Sequence, residues 1–461
     1  MDLPKKIHFI GIGGVGMSGL AGILADLGYQ VSGSDLCAGV EVQRLQKKGV
    51  KCFLGHKAEQ IAGAEAVVCS SAIRESNPER QAAVEQGLPL LHRSQILAFL
   101  MEHQKGLAVA GAHGKTTTSS MLALVLTANN YDPSITVGGE VPFLAGNAHW
   151  GQGEYLVAES DESDGSFLNL SPWSVLITNV EDDHLDHYGT VEKIREAFAQ
   201  FINSIPAEGV AVLGMDSLGL QTIIENGLKS KTRLYSLHNP QADYYLQNIS
   251  FERNYSQAEV YEHGKLLGQL KLQVPGEHNL ANALGVIALC RFLGLEFEAI
   301  AAPLAEFTGA GRRFELLGEI SRVRIIDDYG HHPTEIEATL TAAARTCQGR
   351  LICIFQPHRY TRTQLLANRF GRCFKAADQL IINEIYAAGE TPIAGVTANL
   401  IVQAVEEQDP REVLYWVKME DIVDYLAEQV QPEDLVLFMG AGNIRQAGIK
   451  LVERLQKDGI K

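Results

Sequence analysis

The segment Leu107-Ala-Val-Ala-Gly-Ala-His-Gly-Lys-Thr-Thr117 carries the strongest structural signal in this chain. An apolar run typical of a buried strand passes through a glycine-containing loop into a helix-forming run, residues 116–126. A Lys at a helix N-terminus reaches the terminal phosphates of a nucleotide, and the next hydroxyl can join a Mg²⁺ ion. The strict phosphate-loop pattern has Gly where this chain has Val109. The segment therefore predicts a shortened phosphate-binding loop, in which His113 is either a ligand or a loop-stabilising side chain.

Strand-like and helix-like segments alternate on both sides of this loop almost to the end of the 461 residues. The predicted strands include residues 66–69, 351–355, 379–383 and 435–439. This alternation is typical of α/β sheets with crossover helices. The exception is residues 233–274, which lack a helical period and predict an antiparallel patch. At about 150 residues per domain the length indicates three domains, and we place their boundaries at 1–93, 94–308 and 309–461.

Composition narrows the class of protein. The chain is 46% hydrophobic and 20% charged, which excludes a disordered or coiled-coil protein. Its 39 Lys and Arg against 55 Asp and Glu give a net charge of −16, which argues against binding nucleic acid or an anionic membrane. Seven Cys without metal-ligand spacing favour a reduced, cytoplasmic protein. The apolar run at 7–24 imitates a signal peptide, but its glycines and His8 favour a strand, loop and helix, and no stretch is long enough to span a membrane.

A second glycine-rich loop, Gly11-Ile-Gly-Gly-Val-Gly16, follows the strand-like run 7–10 and opens a helix. Glycines there permit a tight turn and close approach of a phosphate to the helix N-terminus. A second strand ends at Asp35, where a Rossmann site places an acidic residue on a ribose. Taken alone, the pattern leaves open a dinucleotide, another nucleotide or no ligand.

Acidic residues follow the strand at 155–158, at the edge where open α/β sheets bind ligands. We expect one of them to hold Mg²⁺, because hard cations take carboxylate oxygens. For Glu162 and Asp164 we favour a solvated acidic loop. After the next strand, His184 lies among carboxylates, and a metal ligand, an acid/base and a structural histidine all remain open.

Three basic segments in the last third of the chain supply local positive charge: Arg312-Arg313, Asp327-Asp-Tyr-Gly-His-His332 and His358-Arg-Tyr-Thr-Arg362. Arginine binds carboxylates and phosphates well. Each segment alone is compatible with a surface ion pair, but two of them follow strands at the ligand-binding edge.

Together, the Gly11 loop, the Gly111–Thr117 loop and Pro275-Gly-Glu-His-Asn-Leu-Ala-Asn282 resemble the Mur ligases, ATP-dependent amide-forming enzymes of peptidoglycan precursor synthesis. Further blocks are similar to the branch that adds L-alanine: Gly11-Ile-Gly-Gly-Val-Gly-Met-Ser18, Asp328-Tyr-Gly-His-His-Pro-Thr-Glu335, Phe355-Gln-Pro-His-Arg-Tyr-Thr-Arg-Thr363 and Ile385-Tyr-Ala-Ala-Gly-Glu390. Several Mur ligases carry a carbamoylated lysine after the His184 block. Residues 195–202 contain no Lys, which the alanine-adding branch shares.

The resemblance implies a Rossmann-like N-terminal domain for a UDP-sugar, a central P-loop-type ATPase α/β domain for ATP with Mg²⁺, and a C-terminal Rossmann-like α/β domain for the amino acid. The implied UDP-sugar residues are Gly13, Gly14, Val15, Gly16, Met17, Ser18, Asp35, Ser70, Ser71, Ala72 and Ile73. The implied ATP residues are Gly111, Ala112, His113, Gly114, Lys115, Thr116, Thr117, His278, Asn279, Asn282, Arg312, Arg313 and Asp328. The implied metal ligands are Thr116, Glu159 and His184, the implied amino-acid residues are Tyr329, His331, Arg359 and Arg362, and the implied catalytic residues are Lys115, Glu159, His184, His331 and Arg359.

The implied reaction joins L-alanine to UDP-N-acetylmuramate through an acyl phosphate. A related ligase that adds a whole murein tripeptide shares most blocks and is the nearest alternative. An NAD-dependent dehydrogenase would leave the Lys115 loop without a role, and a non-catalytic nucleotide-binding regulator is a third alternative. The sequence leaves open whether the chain forms a homodimer.

Overall fold

The N-terminal glycine loop lies at the crossover point of a five-stranded parallel sheet. The protein is described by a computed structural model that covers residues 3–144, 146–252, 255–409 and 411–458. The strand order is β3-β2-β1-β4-β5, the order expected of a Rossmann half. The elements are β1 (Lys6–Ile10), α1 (Val15–Asp26), β2 (Gln30–Asp35), α2 (Val40–Lys47), β3 (Lys51–Leu54), β4 (Ala66–Cys69), α3 (Pro78–Glu85), β5 (Leu90–His92) and α4 (Arg93–Met101).

The Lys115 loop lies in the middle of a ten-stranded sheet. The strand that leads into the loop, Lys105–Ala110, has a neighbouring strand on each side, and all three strands run parallel. The elements are β6 (Lys105–Ala110), α5 (Lys115–Ala128), β7 (Ser134–Val141), β8 (Gly146–His149), β9 (Tyr155–Glu159), β10 (Ser174–Ile177), α6 (Leu185–Tyr188), α7 (Val191–Ile202), β11 (Ala211–Gly214), α8 (Leu218–Glu225), β12 (Thr232–Ser236), β13 (Tyr244–Glu252), β14 (Tyr255–Glu262), β15 (Lys265–Leu272), α9 (Glu277–Phe292) and α10 (Phe297–Ala305). The order is β15-β14-β13-β12-β11-β10-β6-β9-β7-β8.

The third sheet has six strands in the order β16-β17-β21-β18-β19-β20, and only the β16–β17 pair is antiparallel. The elements are β16 (Glu315–Ile320), β17 (Val323–Asp328), α11 (Pro333–Thr346), β18 (Leu351–Phe355), α12 (Tyr360–Cys373), β19 (Gln379–Asn383), α13 (Asn399–Gln408), β20 (Val413–Trp416), α14 (Met419–Gln429), β21 (Leu435–Met439) and α15 (Arg445–Asp458). Cys353 and Phe355 pack into one core, whereas Ile352 and Ile354 pack into another. Both faces of β18 are therefore covered, which explains its unbroken apolar sequence.

By its internal contacts the chain divides into two units. The first comprises Met1–Gln247, Glu259–Leu270 and Ala281–Glu306, and the second comprises Asn248–Ala258, Lys271–Leu280 and Phe307–Lys461. The first unit thus contains both phosphate-loop candidates. The three-domain boundaries at 1–93, 94–308 and 309–461 stay a prediction.

Within the first unit, the β7–β8 hairpin packs against the start of α1. The side chain of Asn147 donates to the carbonyl oxygen of Val15 at 2.5 Å. A Cβ built on Gly19 would lie 2.9 Å from the Cβ of Ala148, so the helix and the hairpin meet closely. The glycine-rich helix start is therefore held from outside its own sheet.

The predicted alternation of strands and helices is confirmed, and the predicted strands at 66–69, 351–355, 379–383 and 435–439 have the observed bounds. The antiparallel patch at 233–274 is correct only in part. Strand β12 is parallel to both neighbours and belongs to the α/β part of the sheet. Strands β14 and β15 are adjacent and joined by two residues, a connection that only an antiparallel hairpin permits.

None of the seven cysteines is joined in a disulfide. Among the described residues, no helix combines the length and apolar character that crossing a membrane requires.

Gly33 on β2 should be intolerant of any side chain. A Cβ there would lie 2.5 Å from Cδ1 of Ile12 and 2.6 Å from the carbonyl oxygen of Phe9. Gly33→Ala should lower the free energy of unfolding by about 1–3 kcal/mol through overpacking. Urea unfolding, followed by circular dichroism, measures this change in the free energy of unfolding. Gly39→Ala is the control, because a Cβ on Gly39 meets nothing within 4 Å, and equal midpoints for the two variants would contradict the prediction.

Candidate active site

The end of β2 fixes the backbone of the N-terminal glycine loop. The backbone N–H groups of Gly11 and Ile12 both donate to the carbonyl oxygen of Ser34, at 2.8 and 2.9 Å. The N–H of Gly13 donates to Oδ2 of Asp35 at 2.9 Å. Asp35 therefore shapes the loop directly. Of the other predicted sugar residues, Gly14 caps α1. The first turn of this helix consists of Val15, Gly16, Met17 and Ser18.

The second predicted sugar segment, Ser70–Ile73, follows β4 beside this loop. A Cβ built on Gly11 would lie 3.2 Å from Cδ1 of Ile73. Because β1 and β4 are neighbours in the sheet, their carboxyl ends meet at the same edge. The structure thus brings the two predicted sugar segments together.

In the Lys115 loop, Gly111 has a φ of 137° and Gly114 a φ of 83°. Both close approaches exclude a side chain, since a Cβ on Gly111 would lie 2.1 Å from Oγ1 of Thr178 and one on Gly114 would lie 2.6 Å from Oδ1 of Asn282. The predicted adenosine residue Asn282 therefore contacts the loop. Lys115 begins α5, as predicted, and Thr116 and Thr117 are buried in its first turn.

The ammonium group of Lys115 is held inside its own loop. It donates to the carbonyl oxygens of Gly111 at 2.6 Å and of Ala112 at 3.3 Å, and to Oε1 of Glu162 at 2.8 Å. Burial lowers the pKa of Lys115, but the carboxylates of Glu162, Asp161 and Glu159 outweigh it and hold the pKa above its ordinary value. The loop therefore carries a fixed positive charge.

The expectation that Glu162 belongs to a solvated loop is wrong. Its residue exposure is 2%, and its backbone carbonyl oxygen accepts from the hydroxyl of Tyr188 at 2.6 Å. A buried carboxylate needs a partner, and Lys115 provides it. Asp164 is also partly buried, and its Oδ1 accepts from the N–H of Ser166 at 3.0 Å.

Glu159 and Thr116 form the cluster best suited to a hard cation. The hydroxyl of Thr116 donates to Oε1 of Glu159 at 3.1 Å, and the N–H of Gly138 donates to Oε2 at 2.5 Å. In the described part of the chain, Oε2 of the neighbouring Glu162 is buried and has no hydrogen-bond donor. Oxygen ligands of this kind suit Mg²⁺, so the residues present fit that ion.

His184 lies beside this cluster. Its Nε2 is 3.5 Å from Oε1 of Glu162 and 3.6 Å from Oδ2 of Asp183. Burial lowers the pKa of His184, but the two carboxylates outweigh it and raise the pKa above its ordinary value. His184 also has a φ of 57°, an uncommon backbone conformation for a non-glycine residue.

The end of β10 supplies loop contacts that the sequence did not single out. Oδ1 of Asn179 accepts from the N–H of His113 at 2.9 Å, and the hydroxyl of Thr178 donates to the carbonyl oxygen of His113 at 2.6 Å. Nε2 of His113 lies 3.3 Å from Oε2 of Glu181. His113 is thus held on its backbone and its ring. The available signal was that a polar pair follows a strand.

The sequence also missed an ion pair between the two loops. Nη2 of Arg93 lies 2.6 Å from Oδ2 of Asp161, and Nη1 of Arg93 lies 3.3 Å from where a Cβ on Gly16 would be. Burial raises the pKa of Asp161, but Arg93 and Lys115 outweigh it and lower the pKa to about 2. Asp161 therefore interacts with a cation at each predicted phosphate site.

In the second unit, two predicted ATP residues approach the ring of Tyr329. The guanidinium carbons of Arg312 and Arg313 are 4.9 and 5.2 Å from the ring centroid. Arg312 also donates to Oδ2 of Asp327 at 3.1 Å and to the carbonyl oxygen of Gly440 at 2.7 Å. These cations are thus pre-positioned at the carboxyl ends of β17 and β21.

Asp328 is buried and His331 is partly buried, and burial shifts both side chains towards the neutral form. Burial raises the pKa of Asp328 to about 6, although its oxygens accept from the N–H groups of Phe314 and Gly330. Burial lowers the pKa of His331 to about 3, whereas His278 is exposed. Asn279, next to His278, donates from its side chain to the carbonyl oxygen of Pro275 at 2.7 Å.

Arg359 precedes α12 with a φ of 70°, and its N–H donates to the carbonyl oxygen of Tyr386 at 2.9 Å. Burial lowers the pKa of His358 to about 4, and the charges of Arg362 and Arg359 act in the same direction. The rings of His358 and His331 are 5.7 Å apart. The predicted amino-acid residues Tyr329 and His331 therefore lie beside the segment that carries Arg359 and Arg362.

Three family models match successive parts of the chain. They are the Mur ligase family catalytic domain at residues 6–105, the Mur ligase middle domain at residues 109–290, and the Mur ligase glutamate ligase domain at residues 312–442. Together they match more than half of the sequence.

Known proteins resemble the chain over its full length. A UDP-N-acetylmuramate–L-alanine ligase from Pelotomaculum thermopropionicum is 51% identical over 99% of each chain. The crystal structure of a UDP-N-acetylmuramate–alanine ligase from Thermotoga maritima matches with a TM-score of 0.85 and 30% identity, covering 98% of this chain and 99% of that one. A murein peptide ligase from Psychrobacter arcticus matches with a TM-score of 0.73 at 24% identity, covering 97% and 98%, which shows a common fold.

The low pKa of Asp161 makes its contribution to stability depend on pH. The pKa lies at about 2 against an ordinary 3.8, so the stabilisation is complete above about pH 4 and is lost as the pH falls towards 2. Asp161→Asn should lower the free energy of unfolding at pH 7 by about 0.5–1 kcal/mol, a modest value because the side chain is 39% exposed.

Urea unfolding of Asp161→Asn at pH 7, 5 and 3 measures the difference from the unchanged protein. Asp424→Asn, at an exposed position of α14, is the control. A difference for Asp161→Asn that grows on acidification would refute the assignment.

Proposed function

The chain belongs to the Mur ligase family, and we infer that it joins the amino group of L-alanine to the lactyl carboxylate of UDP-N-acetylmuramate, converting ATP to ADP and phosphate. The observation that carries this proposal is the 51% identity over 99% of the chain with a ligase of that name. A phosphate loop with a fixed cation and a neighbouring carboxylate cluster is the equipment this reaction requires.

A carboxylate is a poor electrophile and has to be activated. An oxygen of the lactyl carboxylate attacks the γ-phosphorus of ATP, the bond to the β–γ bridging oxygen breaks, and an acyl phosphate and ADP result. The unprotonated amine of alanine then attacks the acyl carbon. The tetrahedral intermediate expels inorganic phosphate, and the nitrogen loses a proton as the amide forms.

For ATP we propose that the loop Gly111–Thr117 binds the phosphates through backbone N–H groups and Lys115. Its ammonium already lies within the loop, so it needs only to exchange a carbonyl or Glu162 for a phosphate oxygen. Thr116 and Glu159 would hold one Mg²⁺ and His184 a second. Bound Mg²⁺ supplies neutralisation of the phosphate charge that builds up during transfer. Asn282 would contact the adenosine together with His278 and Asn279.

For the sugar nucleotide we propose the loop residues Gly13–Ser18 at the diphosphate, with Asp35 and Ser70–Ile73 near the uridine. A helix N-terminus with a glycine-rich approach favours a diphosphate. Because both oxygens of Asp35 accept backbone N–H groups, from Gly13 and Cys37, its main effect is to set the loop conformation.

For the second unit we propose Arg312, Arg313 and Asp328 as ATP-binding residues, and Tyr329, His331, Arg359 and Arg362 as amino-acid-binding residues. Arginine suits the carboxylate of alanine. A histidine with a pKa of about 3 is neutral at pH 7 and accepts a hydrogen bond well, but it is a weak base. We therefore assign His331 to orienting the amine rather than to removing its proton.

The direct test is ADP formation with ATP, Mg²⁺, UDP-N-acetylmuramate and one amino acid or peptide at a time. L-Alanine should support turnover, whereas omission of either the sugar nucleotide or the amino acid should abolish it. Turnover with the murein tripeptide in place of L-alanine would identify the peptide-adding activity instead. ATP hydrolysis that does not depend on either acceptor would refute the ligase proposal.

Lys115→Ala should lower kcat by about 10³-fold, because the loop loses the charge that stabilises the transferring phosphoryl group. Binding of UDP-N-acetylmuramate, measured by calorimetry, should persist. Lys105→Ala is the matched control, since Lys105 begins strand β6, which leads into the loop, and pairs with Glu154 at the surface. Loss of sugar binding in Lys115→Ala would mean that the two loops have been assigned to the wrong ligands.

A further inference from the structure

A buried acidic network lies beneath the N-terminal glycine loop, outside all of the residues assigned above except Asp35. Its centre is Glu79, the second residue of α3, and neither Glu79 nor His8 has any solvent exposure. Asn77 caps this helix and accepts from the N–H of Glu79 at 2.9 Å. The carboxylate is therefore held at a defined position inside the first sheet's packing layer.

Each group of the network faces the Glu79 carboxylate. The hydroxyl of Ser34 donates to Oε2 of Glu79 at 2.5 Å. Nδ1 of His56 lies 3.2 Å from the same oxygen and 2.9 Å from the Ser34 hydroxyl. On the other side, Nε2 of His8 lies 3.6 Å from Oε1 of Glu79, and Nδ1 of His8 lies 2.9 Å from the hydroxyl of Ser32.

Burying charged and polar groups in a core costs desolvation free energy. Burial raises the pKa of Glu79, but the nearby His8 ring, the hydrogen bond from Ser34 and the His56 ring outweigh it and hold the pKa below its ordinary value. Replacing buried charged groups with apolar residues of similar volume is often neutral or stabilising. A carboxylate is therefore not required to fill this part of the core.

The network ends on the residue that shapes the loop. Ser34, whose hydroxyl binds Glu79, uses its carbonyl oxygen to accept from the N–H groups of Gly11 and Ile12. The next residue, Asp35, accepts from the N–H of Gly13. Three successive loop N–H groups thus depend on the end of β2, and Glu79 holds that strand end by the Ser34 side chain.

We propose that Glu79 is a positioning residue for the sugar-nucleotide loop, and that it acts through Ser34 to fix the loop backbone in the conformation that binds a diphosphate. The proposal rests on the proposed function in one respect, that Gly13–Ser18 bind the sugar nucleotide. Glu79 touches no reacting atom. Its effect is on affinity for the sugar nucleotide and not on the chemistry at the Lys115 loop.

The experiment compares Glu79→Gln, Ser34→Ala and the double variant in the full-length protein. Glu79→Gln keeps the side-chain volume and removes the charge, and Ser34→Ala removes the hydroxyl but keeps the carbonyl that binds the loop. Glu85→Gln is the matched control, because Glu85 ends the same helix and is exposed. Calorimetry gives the Kd for UDP-N-acetylmuramate and for UDP, kinetics give KM for ATP and kcat, and thermal unfolding gives Tm.

Each single variant should raise both Kd values about 10-fold, as expected for a lost hydrogen bond to a charged group. The double variant should have a Kd no higher than that of the more affected single variant, because both changes break the same connection. KM for ATP and kcat at saturating sugar nucleotide should stay unchanged, and Glu85→Gln should match the unchanged protein.

A lower Tm with unchanged Kd would overturn the proposal, because Glu79 would then serve stability alone. Additive effects on Kd would overturn the connection through Ser34. If Glu79→Gln does not fold, Ser34→Ala decides by the same Kd criterion. Failure of the unchanged protein to bind UDP-N-acetylmuramate would refute the proposed function itself, whereas equal binding by all variants would refute only the role of Glu79.

Discussion

The ion pair between Lys115 and Glu162 is the interaction around which the proposed ATP site is arranged. Its ammonium group is surrounded by the carbonyl oxygens of its own loop and by a buried carboxylate, so its charge is fixed before any ligand arrives. That geometry requires the loop to pass within contact of Thr178 and Asn282, which leaves no room for a side chain at Gly111 or Gly114. The same carboxylate faces His184, and Asp161, one residue before it, pairs with Arg93. Preorganised charge of this kind avoids reorganisation during phosphoryl transfer.

The two predicted phosphate loops share one arrangement and differ in the residues that contact them. Each joins a central parallel strand to a helix, and in each the end of a neighbouring strand determines the loop backbone. In the N-terminal sheet the partners are Ser34 and Asp35 on β2, and in the ten-stranded sheet they are Thr178 and Asn179 after β10. A loop that is mostly glycine has little preference of its own, because glycine permits many conformations. Its shape therefore comes from residues distant in the sequence.

Features that depend on local sequence were predicted correctly, whereas contacts between residues distant in the sequence were not. Strand 66–69 and strand 351–355 were predicted with the observed bounds, because long apolar runs between turn signals depend on local pattern. The loops and their helices were also correct, since glycine and lysine at those spacings have few structural alternatives. Glu162 was assigned to a solvated loop because its local sequence, rich in Asp, Glu and Ser, has no apolar pattern. Its burial is caused by Lys115 and Tyr188, and Arg93 meets Asp161 across 68 residues, so neither contact leaves a local signal.

The close approach of Gly19 to Ala148 has a consequence for how this sequence can change over generations. With only 2.9 Å between a Cβ on Gly19 and that of Ala148, neither position accepts a larger side chain while its partner keeps the present one. Gly19 lies on helix α1 and Ala148 on strand β8, 129 positions further along the chain, yet a substitution at one alters which substitutions the other tolerates. Asn147, beside these residues, donates to the carbonyl oxygen of Val15 in the first turn of α1. Substitutions at this contact would therefore also alter the position of the glycine loop. Substitutions in helix α1 and in strand β8 are therefore coupled at this contact, and the two segments cannot diverge independently there.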